Sequence, residues 1–114
     1  MKCYSHPPMA EVNLSTVLQA LSDPCRLAIV ESLLRDGVLE LACNEIPLKV
    51  AKATRSHHFD VLRQAGLIQT RAEGTKCLSS LRREELDARF PGLLNLVAQE
   101  VGTASLAGAL PCPE

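Results

Sequence analysis

Apolar residues at Leu14, Val17, Leu18 and Leu21 recur at i, i+3, i+4 and i+7, which predicts an amphipathic helix. Ser22-Asp23-Pro24 stops it and starts the next, with Ser22 or Asp23 as N-cap and Pro24 in the first turn. Leu27, Val30, Leu33 and Leu34 supply that second helix with its stripe, and Asp36-Gly37 ends it. Leu39, Ala42, Cys43 and Ile46 repeat helical spacing over a shorter stretch closed by Pro47. A further helix is expected from Val50 to Ala65, anchored by Phe59 and Leu62 and ended by Gly66.

The period then changes. Leu67-Ile68-Gln69-Thr70-Arg71 reads as a strand, Ala72-Glu73-Gly74-Thr75 as a turn, and residues 76–81 as a return strand. From Arg83 the spacing is helical again, with Leu86, Phe90, Leu93, Leu94, Val97 and Val101 on one face and Pro91 breaking or kinking the run. Two helices flanking a turn, followed at once by a hairpin, outline a winged helix-turn-helix. The expected fold is mainly α with a small β-hairpin wing. Residues 1–12 read as a flexible arm, 13–101 as one domain and 102–114 as a disordered tail.

The first and last helices lie outside the compact centre of this arrangement. Their apolar stripes would be covered either by the domain itself or by a second copy, and the expectation is a homodimer through both helices. A chain of 114 residues has room for little more than one domain. With two Phe, one Tyr and no Trp, its core falls to Leu, Val, Ile and Ala.

Charge sharpens the picture through its distribution. The net charge is −1. Yet residues 49–83 carry eight basic side chains against Asp60 and Glu73, while the rest of the chain carries four basic and eleven acidic ones. A basic block in an acidic protein fits either an anionic partner or a solvated face. No run of apolar residues is long enough for a membrane span and no secretory segment opens the chain, so a cytoplasmic protein is expected. The five cysteines include no Cys-x-x-Cys pair, and free thiols are expected. Neither a nucleophile motif nor a Gly-rich phosphate loop is present, so no enzymatic activity and no cofactor is expected.

Two stretches carry a family resemblance. Ala20-Leu21-Ser22-Asp23-Pro24-Cys25-Arg26-Leu27-Ala28-Ile29-Val30 resembles the entry to the second helix of the ArsR/SmtB transcriptional repressors. Ser56-His57-His58-Phe59-Asp60-Val61-Leu62-Arg63-Gln64-Ala65-Gly66-Leu67-Ile68 resembles their recognition helix and wing start, and Arg71-Ala72-Glu73-Gly74 falls at their wing turn. The resemblance spans residues 14–82 and implies a homodimeric repressor of double-stranded operator DNA, released by a chemical signal that the sequence does not name. A thiol-based sensor of the same fold, and a winged-helix module for protein contacts, are the alternative readings.

A recognition helix enters the major groove by its N-terminal end. Lys52, Thr54, Arg55, Ser56 and His57 are therefore expected at base edges, and Lys49, Arg71 and Lys76 at the DNA backbone. Arg55 stands where the family usually has an inward aliphatic residue. His58 fits either the groove or the core, and Arg63 either a phosphate or Asp60 one turn earlier. Glu40-Leu41-Ala42-Cys43-Asn44-Glu45-Ile46 has one thiol where metal-sensing members carry two, and the last helix has Asp87 but no His, so neither family metal site can be assembled. Cys25 and Cys43 remain as possible sensor thiols.

Overall fold

The computed structural model describes residues 6–35, 40–42, 46 and 50–104, the last five as helix backbone only. A single 3-10 turn, Met9–Glu11, leads into α1 (Leu14–Leu21) and α2 (Pro24–Leu33). A short strand β1 (Leu41–Ala42) precedes the long helix α3 (Lys52–Gln64). Then come β2 (Ile68–Glu73), β3 (Lys76–Leu81), α4 (Arg83–Arg89) and α5 (Leu93–Ala104).

Side-chain oxygens start the first two helices. Asn13 Oδ1 accepts from Thr16 N–H at 2.9 Å. Asp23 Oδ1 accepts from the N–H groups of Cys25 and Arg26 at 2.8 and 3.2 Å, with Pro24 in the first turn. Each such cap is worth about 1 kcal/mol. Gly66 ends α3 with φ +84°, and a Cβ there would run into the Val12 side chain. The position thus demands glycine twice, for its left-handed backbone and for the space. Pro91-Gly92 separates α4 from α5, so the expected run is broken rather than kinked.

The sheet is antiparallel in the order β1-β3-β2. Glu73 pairs with Lys76, so Gly74-Thr75 is a two-residue loop whose first member has φ +62°. Glycine at that position is what a type II′ hairpin turn asks for. β2 thus runs two residues further than expected and the turn is tighter than the four-residue one, while β3 has the expected bounds.

The third strand corrects the sequence reading. Leu41 and Ala42, expected in a helix, pair instead with Ser79 and Leu78 of β3. Helical spacing over so short an apolar segment does not separate helix from strand, and an unpaired edge of β3 rewards extension. Cys43, from the same expected helix, and Gly37, its expected predecessor's stop, lie outside the described residues.

One core joins every long element: Val17, Ile29, Val30, Leu33, Ile46, Phe59, Leu62, Leu67, Ile68, Leu86, Leu94 and Val97 all belong to it. The stripe on α1 splits. Val17 and Ala20 face inward with Leu21 half-buried, whereas Leu14 and Leu18 are 46% and 50% exposed. On α5, Leu93, Leu94 and Val97 face the core and Leu96 is 64% exposed.

From His6 onward the expected arm is fastened down. His6 Nε2 accepts from Thr70 N–H of β2 at 3.0 Å, the Pro7 carbonyl accepts from Arg82, and Val12 is buried. β2 is a sheet edge, and a ring nitrogen on the Thr70 amide gives that edge a partner.

Candidate nucleic-acid interface

α3 has an inner and an outer face. His58, Phe59 and Leu62 point into the domain, while Lys52, Ala53, Ser56, His57, Asp60 and Gln64 are exposed. Thr54 and Arg55 are half-buried. The helix is entered from Ala51, which supplies no side-chain cap. Its N-cap thus offers no carboxylate or hydroxyl to the first N–H groups, which carry the positive end of the helix dipole. Beyond α3, the wing tip carries exposed Lys76 and Thr75.

Of the open alternatives for His58, the structure takes the core. Its side chain is 6% exposed, Nδ1 lies 3.4 Å from Arg26 Nη1, and Nε2 has no hydrogen-bond partner. Burial holds the imidazole below its ordinary value of 6.5; Asp23 opposes that shift, and Arg26 and His57 add to it. The reason lies in the period: residue 58 sits one turn before Leu62, on the inward face.

Arg63 likewise turns inward. It pairs with Asp60 at 3.5 Å and donates to Thr70 Oγ1 at 3.4 Å, which in turn shares a 2.9 Å hydrogen bond with Ser79 Oγ. Its side chain is only 13% exposed, and these contacts place it at the junction of α3 with the wing.

Arg71 is exposed, but its guanidinium is shared between Glu40 and Glu73. Those two carboxylates raise its pKa further, and Arg71 holds the Glu40 carboxyl below its usual range. Two other arginines of the basic block are tied to the fold. Arg82 is buried, binding the Pro7 carbonyl and Glu85, and Arg83 donates to the Leu33 carbonyl at 2.7 Å. Arg26 on Ala20 O and Arg89 on Val12 O repeat the device. Ala20 and Leu33 lie in the last turns of α1 and α2, where orphan carbonyls favour a cation. Lys49 lies outside the described residues.

Cys25 departs from expectation. It is fully buried and disulfide-bonded rather than a free thiol, with its bonding partner outside the described residues. Pairing depends on two sulfurs meeting in space, which spacing along a chain does not report. Asp23, Cys25 and His58 each bring one possible ligand atom within 4.8 Å of the others. The sequence held no signal for that cluster, because His58 lies more than thirty residues from the other two.

A helix with an exposed polar face and uncapped N-terminus, braced by an inward arginine against a two-stranded wing, defines a winged helix-turn-helix of the kind that regulates transcription. No protein-family model matches the chain. Among curated proteins it is 41% identical over 80 residues to the uncharacterized HTH-type transcriptional regulator YceK of Bacillus subtilis, covering 68% of this chain and 79% of that one. It is 40% identical, again over 80 residues, to the arsenical resistance operon repressor of Staphylococcus xylosus, covering 69% and 75%. The chain belongs to the ArsR family of helix-turn-helix transcriptional regulators. Its homologues are regulators, not enzymes.

Solved structures agree on the fold. Reduced HlyU from Vibrio cholerae superposes with a TM-score of 0.60 at 27% identity, over 75% of this chain and 85% of that one. The repressor BigR from Xylella fastidiosa gives 0.56 at 24% identity, over 88% and 87%. No helix among the described residues is long and apolar enough to cross a membrane.

Proposed function

We propose that the chain is a sequence-specific repressor that binds a pseudo-palindromic operator as a homodimer and leaves it on a chemical signal. In this reading Lys52, Thr54, Arg55, Ser56 and His57 read base edges in the major groove. Lys49, the first N–H groups of α3, Lys76 and Arg71 meet phosphates. Arg71 does so by giving up part of its contact with Glu40 and Glu73. His58 and Arg63 hold the helix in place from behind.

The observation that carries the reading is the outer face of α3: Lys52, Ser56 and His57 are exposed on the N-terminal half of a helix whose other side is core. Exposed Leu14, Leu18 and Leu96 support a two-fold partner, since a symmetric apolar contact would cover them. The test is a fluorescence-anisotropy titration of the duplex upstream of the protein's own gene. Saturable binding that survives an excess of random duplex is expected. Binding abolished by that competitor would leave only a non-specific cation, and no binding at all would favour a protein-interaction module.

A thiol-responsive form of the same repressor has one observation in its favour, the disulfide at Cys25 beside the recognition helix. The same titration under oxidant and under reductant separates the two forms.

A further inference from the structure

We propose that Asp23, Cys25 and His58 bind a thiophilic divalent cation of the Zn2+ type when Cys25 is reduced. A carboxylate oxygen, a sulfur and an imidazole nitrogen lie within 4.8 Å of one another. In a zinc tetrahedron, with Zn–S of about 2.3 Å and Zn–N of about 2.0 Å, donors are about 3.5 Å apart. The cluster therefore needs to contract by at most about 1.3 Å to meet that geometry. A mixed sulfur, nitrogen and oxygen set selects zinc-like ions over Mg2+ or Ca2+, which want oxygen alone. Cys25 and His58 are buried, whereas the Asp23 side chain is 25% exposed. The ion thus enters past Asp23, where a water completes the fourth position.

An independent observation concerns the same imidazole. His58 Nε2 is buried without a hydrogen-bond partner, a condition that native structures rarely leave unexplained. The other ring nitrogen faces Arg26 Nη1 at 3.4 Å, and either nitrogen taking the ion costs that contact. At Nδ1 the ion replaces the guanidinium. At Nε2 the ring proton moves to Nδ1, which then no longer accepts. Arg26 keeps its hold on the Ala20 carbonyl through Nε at 2.8 Å, so its head can turn away without releasing the end of α1. Asp23 Oδ1 is committed to capping α2, leaving Oδ2, 4.0 Å from Arg26 Nη1, for the ion.

The disulfide and the ion compete for one sulfur. A dithiol reductant supplies two electrons and two protons: the S–S bond breaks, two thiols form, and the reductant becomes a disulfide. Binding the cation then forms an S–metal bond and releases the Cys25 thiol proton to solvent. The occupied site ties the start of α2 to α3. Its effect on operator affinity rests on the DNA-binding reading above, but binding of the ion does not.

The test uses the full chain, reduced, stripped of metal and titrated with Co2+ in place of zinc, with no DNA present. A near-ultraviolet thiolate-to-cobalt band saturating at one ion per chain is expected. It is lost in Cys25→Ser and His58→Gln and in the oxidised protein, and Asp23→Asn weakens binding about tenfold or more. A band that persists in Cys25→Ser or His58→Gln overturns the site, as does a reduced wild-type chain that shows none. Should those variants fail to fold, X-ray absorption of the zinc-loaded wild type decides. One sulfur with nitrogen and oxygen neighbours supports the site, and a shell without sulfur, or with several, overturns it. Operator binding is measured separately, so a failure of the DNA reading leaves the cobalt result to stand by itself.

Discussion

His6 shows how much one residue near the start of the chain can carry. Its ring nitrogen takes the proton end of an amide on the open edge of β2, which it can do only while that nitrogen is unprotonated. Partial burial, then the charges of Arg82 and Arg63, hold its pKa below the ordinary 6.5. As pH falls below that value the unfolded chain takes up a proton that the folded chain resists. The contribution is therefore complete above about 6.5 and is lost as pH falls toward the lower folded value. Urea midpoints measured from about pH 8 to about pH 5 should fall with acidification, and fall less steeply in His6→Gln, whose amide can accept from Thr70 without titrating. Equal slopes would mean that the His6 bond adds nothing to stability. The same residue marks a limit of sequence reading: beside Pro7-Pro8 it has no period, and only the folded sheet edge gives it a partner.

At the scale of elements, the helices and the wing were legible because their periods are long and their punctuation is strong. Asp23-Pro24, Gly66 and Pro91 each fall where a helix starts or stops. β1 was not legible, since Leu41–Ala42 is too short to show a period and is fixed by its partner strand. The side-chain arrangement of the proposed interface was legible only in part. The basic block drew attention to α3 and the wing, but charge along a chain does not say which way a side chain turns. Arg63, Arg82 and Arg83 bind carboxylates, a hydroxyl and carbonyls of the fold itself. The contact set proposed for DNA is smaller than that block and includes exposed Lys76 on the wing. Lys76→Ala should weaken binding to all duplexes alike and lower the slope of log affinity against log salt by about one. An unchanged slope would remove the wing from the contact surface.

The whole molecule leaves a question of area. A single core joins the helices and the wing, yet Leu14, Leu18 and Leu96 stay in water at about half exposure or more. Full burial of a leucine stabilises by roughly 1.5–3 kcal/mol, so covering three on each of two chains is a substantial drive toward association. Leu18→Glu and Leu96→Glu should each leave the fold intact, because neither side chain belongs to the core, while shifting the sedimenting species from dimer to monomer. A wild-type chain that sediments as a monomer at micromolar concentration, as an order of magnitude for such interfaces, would show that these residues face solvent for another reason. Monomers should also lose specific DNA binding, since one recognition helix cannot span two half-sites about 34 Å apart.

The proposed base-reading surface, the outer face of α3, can be probed without disturbing the core behind it. The deciding measurement is the ratio of operator to random-duplex affinity for the wild type and for the combined variant Lys52→Ala, Ser56→Ala and His57→Ala. A recognition helix predicts that the ratio collapses by about a hundredfold or more, each lost base contact costing about 1–3 kcal/mol, while thermal stability holds. A variant that keeps the wild-type ratio would contradict the placement of base recognition on this helix.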